Sequence, residues 1–126
     1  VISPVDPTDD YDFTIYNLTG VSCTGNIDVT TRIRSNGNTI VGSNALVGLD
    51  MVSLEDFVRG GTVQHNFLRA IQASVGDVYY ILIDNFINTS VSGFSIDFAG
   101  STATFKGKTQ PVYDGVTSIC DSNTRH

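Results

Sequence analysis

The run Val78-Tyr79-Tyr80-Ile81-Leu82-Ile83-Asp84-Asn85-Phe86 constrains the fold more than any other stretch of this chain. It is rich in β-branched and aromatic residues, which suit a pleated surface. Ser74-Val75-Gly76-Asp77 precedes it as a turn signal, and the polar run Asn88-Thr89-Ser90 follows it. In an extended chain its alternate residues fall into two sets, Val78, Tyr80, Leu82 and Tyr79, Ile81, Ile83, and neither set is polar. A strand that is apolar on both sides has something packed on each, so this run is expected at the centre of its sheet. A buried helix is the competing reading. The short length and the flanking turns favour the strand.

The composition agrees with a chain of strands and turns. The 126 residues suffice for one domain with a real core, 40% of them are hydrophobic, 16% are charged, and twelve are glycine. Long Glu/Lys/Leu/Ala-rich helical stretches are absent, and the apolar runs are too strong to remain disordered in water. Seven basic residues against thirteen acidic ones give a formal net charge of −6, which repels phosphate backbones and argues against a nucleic-acid partner. No apolar stretch is long enough to span a membrane as a helix. The two cysteines, Cys23 and Cys120, are read either as one disulfide closing most of the chain or as two free thiols. The sequence begins at Val1-Ile2-Ser3 without a Met, which reads as a piece of a longer or processed protein.

In chain order, Val1 to Val5 reads as a strand end closed by Pro4 and Pro7. Tyr11-Asp12-Phe13-Thr14-Ile15-Tyr16 alternates, with Tyr11, Phe13 and Ile15 inward. Ile27, Val29, Thr31 and Ile33 alternate with Asp28, Thr30, Arg32 and Arg34, which predicts a half-buried strand with the arginines outward. Ser35-Asn36-Gly37-Asn38 reads as a tight turn. Thr39 to Gly42 reads as a short strand, and Ser43 to Asp50 as a loop crossing the core. Leu54-Glu55-Asp56-Phe57-Val58 is the one short helical candidate. Asn66 to Ala73 alternates as a strand and is expected to form an antiparallel hairpin with the Val78–Phe86 run. Phe94, Ile96 and Phe98 alternate with Ser95 and Asp97 as a half-buried strand, and Thr102 to Phe105 is expected to continue the sheet. Residues 1–105 are thus one module, and 106–126 are a linker or a last edge strand. Many short strands, regular turns and no helical periodicity predict an all-β, antiparallel two-sheet β-sandwich of jelly-roll type.

The chemistry on offer is sparse. Asp6, Asp9, Asp10 and Asp12 gather in and beside one turn and form the candidate metal site, since carboxylates and loop carbonyls are what Ca²⁺ takes. They do not follow EF-hand spacing, and a solvated acidic turn is the competing reading. Asp84, Asn85 and Asp97 form a weaker second candidate. His65 and His126 are the only histidines, no Gly-x-Ser-x-Gly elbow is present, and Glu55 is the only glutamate, so no catalytic constellation is expected. Tyr11, Tyr16, Tyr79, Tyr80 and Tyr113 could stack on sugars, with sheet packing as the simpler role. Asn17-Leu18-Thr19 and Asn88-Thr89-Ser90 match the N-glycosylation pattern and are read as ordinary turn residues.

Three stretches carry a family resemblance. Asp9-Asp10-Tyr11-Asp12-Phe13-Thr14-Ile15-Tyr16-Asn17-Leu18-Thr19-Gly20, Gly76-Asp77-Val78-Tyr79-Tyr80-Ile81-Leu82-Ile83-Asp84-Asn85-Phe86 and Ser92-Gly93-Phe94-Ser95-Ile96-Asp97-Phe98-Ala99-Gly100 resemble, in this order, strands of bacterial pre-peptidase C-terminal-like β-sandwich modules. The version with Asn-Phe, a polar loop and Gly-Phe is most similar to modules of secreted Bacteroidota surface adhesins of the gliding-motility and type IX secretion kind. The likeness runs roughly from Asp9 to Phe105 and is thin between Asn36 and Gln64. It implies a secreted, cell-surface, non-catalytic module for adhesion or spacing, with an extracellular protein or glycan as partner. An accessory carbohydrate-binding module of a secreted hydrolase is the alternative. The aromatic opening strand of the family, of the Trp-x-Lys/Arg-Phe sort, has no counterpart here, and the chain has no Trp. A sheet edge left open by that difference would take a strand from another chain, which gives a third reading, an assembly subunit.

Overall fold

The computed structural model of the chain describes residues 1–21, 27–38, 46–60, 65–86 and 92–103. These hold eight strands and no helix: β1 (Ile2–Pro4), β2 (Tyr11–Asn17), β3 (Arg32–Gly37), β4 (Gly48–Asp50), β5 (Phe57–Arg59), β6 (Phe67–Arg69), β7 (Tyr79–Asn85) and β8 (Phe94–Ile96). The all-β class expected from the sequence is what the structure shows. Where the sequence suggested two sheets, the described strands fall into three ladders, one of four strands in the order β5-β3-β2-β7 and two pairs, β1-β8 and β4-β6. Pairing is antiparallel except at β3/β5 and β4/β6, which run parallel. The two pairs meet at an antiparallel bridge in which Ile2 donates to the Val47 carbonyl at 2.8 Å and Val47 donates back at 3.2 Å.

One core lies among the three ladders. Tyr11, Phe13 and Ile15 of β2, Val58 of β5, Leu68 of β6, Ile2 and Val47 are buried together, with Ile33, Leu49, Ile71, Tyr79 and Ile83 packed at its border. The β2 alternation therefore works as its sequence reads. The turns expected at Asn17–Gly20 and Ser74–Asp77 also form: Gly20 and Gly76 take positive φ of 73° and 95°, a region closed to most side chains. Asp77 locks the second turn, its amide donating to the Ser74 carbonyl and its carboxylate accepting the Ser74 amide at 2.7 Å.

Several expectations are corrected. The Val78–Phe86 run is not central: among the described residues β7 pairs only with β2, at the margin of the four-stranded ladder, and Ile81 and Leu82 are 39% and 45% exposed. Alternation reports which faces are apolar but is blind to the order of strands. For the same reason the expected hairpin with residues 66–73 does not form; β6 pairs with β4, and β7 with β2. Asn36-Gly37 is no turn but the end of β3, and Asn36 and Asn38 are buried. Arg34 faces inward, because a register shift between Ile15 and Tyr16 resets the arginine alternation. The helical candidate ends in β5, where Val58 is buried while Phe57 and Arg59 point out. The loop expected over 43–50 ends in β4, and Val47 is a core residue. Phe94, Ile96 and Phe98 are 42%, 41% and 49% exposed; β8 ends at Ile96 and has only the three-residue β1 as its described partner. Thr102 and Ala103 are not in a strand. The expected strand at 39–42, both cysteines and the segment 106–126 lie outside the described residues.

Candidate ligand-binding face

The four-stranded ladder has an inner and an outer face, and the pleat of β2 sorts them. With Tyr11, Phe13 and Ile15 turned inward, Asp12, Thr14 and Tyr16 turn outward. Registers carry this across the sheet. Asp12, Thr14 and Tyr16 lie opposite Asp84, Leu82 and Tyr80 of β7, and Thr14 lies opposite Ser35 of β3. Ser35 in turn lies beside Phe57 of β5, and Gly37 beside Arg59.

Aromatic rings and cations line one part of this outer face. The Tyr16 and Tyr80 rings sit 6.1 Å apart between centroids at 39°, a tilted cross-strand pair. The Arg32 guanidinium lies 5.4 Å from the centroid of the Phe57 ring, a cation–π contact. Thr14 and Ser35 share a hydroxyl–hydroxyl hydrogen bond of 3.0 Å between these two groups. Next to Phe57 an open cleft of about 380 Å³ is lined by Arg32, Ser35, Gly37, Phe57 and Arg59. No side chain on Gly37 crowds that floor; a Cβ there would find the Asp12 carboxylate only at 3.8 Å.

The other end of the face is acidic. Asp12 lies across the ladder from Asp84, and its Oδ1 is buried without a hydrogen-bond donor among the described residues. Burial first, then the negative charges of Asp10 and Asp84, pushes its pKa from 3.8 up to about 6. At neutral pH this end carries carboxylates held in like-charge proximity, while the Phe57 end carries two arginines.

The acidic residues expected to hold an ion are dispersed in role. Asp6 is turned to its own loop, accepting from the Thr8 amide at 2.9 Å and the Thr8 hydroxyl at 2.7 Å, and these bonds lower its pKa. Asp9 and Asp10 are buried, and the Ser92 hydroxyl donates to Asp9 Oδ2 at 3.5 Å. Asp12 alone reaches the outer face of the sheet. Among the described residues no group of three acidic, histidine or cysteine side chains is placed to hold one ion. Of the second candidate set, Asp84 and Asn85 belong to β7, whereas Asp97 follows β8 and caps the Ala99 amide at 2.7 Å. His65 faces Glu55 at 3.9 Å with both side chains 43% exposed, as a surface histidine would; His126 and Tyr113 lie outside the described residues. Tyr11 is buried against the Phe94 ring at 5.1 Å, and the Tyr79 hydroxyl donates to Asp77 at 2.9 Å, so both are structural. Asn17 accepts the Thr19 amide at 2.9 Å in an ordinary turn; Asn88-Thr89-Ser90 is outside the described residues.

Sequence reasoning missed the polar wall beneath this face. Arg34, Asn36 and Asn38 lie at alternate positions from β3 onward and are all buried. Arg34 donates to the carbonyls of Arg69, Ile33 and Ala70 at 2.6, 2.7 and 3.0 Å and pairs with Asp56 at 2.9 Å. Arg69 closes the network with a two-point contact to the same carboxylate, at 3.0 and 2.5 Å. Asn36 donates to the His65 and Asn66 carbonyls, both at 3.1 Å, and accepts the Asn38 amide at 3.0 Å. Arg34 and Asn36 thus cap carbonyls, while Asn38 Nδ2 is buried with no acceptor among the described residues.

Comparison of the chain with protein-family models, with curated proteins and with solved structures finds no match in any of the three. Among the described residues no helix is long and apolar enough to cross a membrane.

Proposed function

We propose that this chain is a non-catalytic extracellular module of a secreted or cell-surface adhesin, and that it meets its ligand with the outer face of the four-stranded ladder. One observation carries the reading: the Tyr16–Tyr80 pair and the Arg32-clamped Phe57 ring lie on the same open sheet face. Rings paired with a neighbour on one sheet face suit an extended ligand, because contacts already restrain them before binding and less side-chain entropy is lost. The three ordered strand motifs, with their resemblance to pre-peptidase C-terminal-like modules of Bacteroidota adhesins, support the same reading and the extracellular location.

The tyrosine pair also supports a second reading, an accessory carbohydrate-binding module of a secreted hydrolase. A glycan array probed with the purified chain tests both, with Tyr80→Ala and Phe57→Ala as companions. Tight, saturable binding to one polysaccharide, lost in both variants, assigns the second reading. Binding to a cell-surface protein or to mixed glycans, lost in the same variants, supports the first. Binding that survives both substitutions sinks the assignment to this face. Calcium at the acidic turn is a separate proposal supported by the composition of that turn; a melting temperature that is the same in calcium and in chelator ends it.

A further inference from the structure

The apolar character of β7 and its place in the sheet disagree. Its sequence is that of a strand covered on every side, yet among the described residues it has one neighbour, β2. Protein sheets protect their margins with lysine, proline, bulges or short strands. β7 has none of these: it is seven residues long, contains no proline, lysine or arginine, and matches β2 in an unbroken register from Asn85 to Tyr79.

The hydrogen-bond parity of this margin follows from its two ends. Leu18 donates to the Val78 carbonyl at 2.8 Å, and Phe86 donates to the Asp10 carbonyl at 2.8 Å. In an unbroken antiparallel ladder the even-numbered residues of β7 thus point their amides and carbonyls at β2. Those of Tyr79, Ile81 and Ile83 point away from it, while the side chains of Tyr80, Leu82 and Asp84 stand on the outer face.

We propose that β7 pairs with β7 of a second copy of this chain, antiparallel and centred on Leu82. Of the antiparallel self-pairings, this one overlaps the full length of the strand, and its parity is right. Ile81 falls opposite Ile83 of the second copy, so residues whose amides and carbonyls face the margin are matched with one another. Leu82 falls opposite Leu82 at a pair without backbone hydrogen bonds, where side chains stand closest. Tyr80 falls opposite Asp84, so the only charge on the strand meets a phenol rather than its own copy. A second copy thus supplies a strand of the same length, with Ile81 and Ile83 matched on the inner face and Leu82 on the outer, and extends the outer face across a two-fold axis. Self-pairing through one patch also closes at two chains, without further growth. Each copy carries a formal charge of −6, so added salt strengthens the pair by screening repulsion.

Sedimentation across the micromolar range, with three variants, tests the pairing. The wild-type chain is expected to show a monomer–dimer equilibrium. Leu82→Lys sets two ammonium groups face to face and is expected to weaken the dimer at least about tenfold, with an unchanged circular dichroism spectrum because Leu82 is already part exposed. With Cys23 and Cys120 replaced by Ser, Leu82→Cys is expected to form a disulfide between copies under mild oxidation, since the paired Cα atoms stand about 4.5 Å apart. Val78→Cys in the same background is expected not to. A chain that stays monomeric throughout, a dimer indifferent to Leu82→Lys, or equal cross-linking at 78 and 82 overturns the proposal.

Discussion

The two margins of the four-stranded ladder are built in opposite ways. β5 is three residues long, and the segment around it is tied down from several directions. Ser35 donates to the Asp56 carbonyl at 3.1 Å, Arg34 and Arg69 converge on the Asp56 carboxylate, and Arg32 covers the Phe57 ring. β7 is seven residues long, and its described backbone bonds run to β2 and to the residues flanking it. A short, charged margin resists another strand, and a long apolar one accepts it. The contrast teaches that one side of the sheet spends its polar groups on holding the fold, while the other leaves apolar surface for contact.

The largest effect is expected where the β5 margin is tied. Arg34→Ala strips three carbonyls of their donor and leaves Asp56 with one arginine, and should cost about 3 kcal/mol in urea denaturation, the range for breaking a buried ion pair. A loss below about 1 kcal/mol would break the comparison, because the margin would then be held by apolar packing. Asn36→Ala follows at about 2 kcal/mol, since two carbonyls and the Asn38 amide lose a buried partner; the same denaturation series reads it.

Asp12, on the β7 side, gives a smaller and pH-dependent effect. Its folded pKa of about 6 lies above the ordinary 3.8, so the folded state holds this proton more tightly than the unfolded state does. The stability due to the protonated form is complete below about pH 3.8 and is lost as pH rises through about 6. Asp12→Asn should therefore stabilise the fold at pH 7.5, by roughly 1 kcal/mol after allowing for solvent screening of a half-exposed group, and change nothing near pH 3.5, as read by denaturation at the two pH values. An equal gain at both pH values would assign the effect to packing instead. The smallest stability change is expected at the outer rim of β7: Leu82→Lys should shift the monomer by no more than about 0.5 kcal/mol, as an exposed site does. A loss several times larger would place Leu82 in the core and remove the contrast between the margins.

What the sequence makes legible is local. β2 reads correctly because its inward residues are apolar and its outward ones mixed, and the two glycine turns read correctly because positive φ selects glycine. The inner wall of β3 is not legible, since Arg34 and Asn36 look like solvent residues until the carbonyls of β6 and its approach are seen to need donors. The place of β7 was hidden for another reason. An apolar strand announces that it will be covered, but strand order depends on pairings dozens of residues apart, which no local periodicity encodes. The outer face is half legible: alternation marks its tyrosines, but Phe57 and Arg32 join them only through the parallel pairing of β5 with β3.

Amide hydrogen exchange along β7 tests the open margin most directly. In dilute protein the amides of Ile81 and Ile83 should exchange much faster than those of Tyr80, Leu82 and Asp84, which are bonded to β2, and should slow as protein concentration rises. Uniformly slow exchange of all five at every concentration would contradict the account, because the margin would then be closed within a single chain.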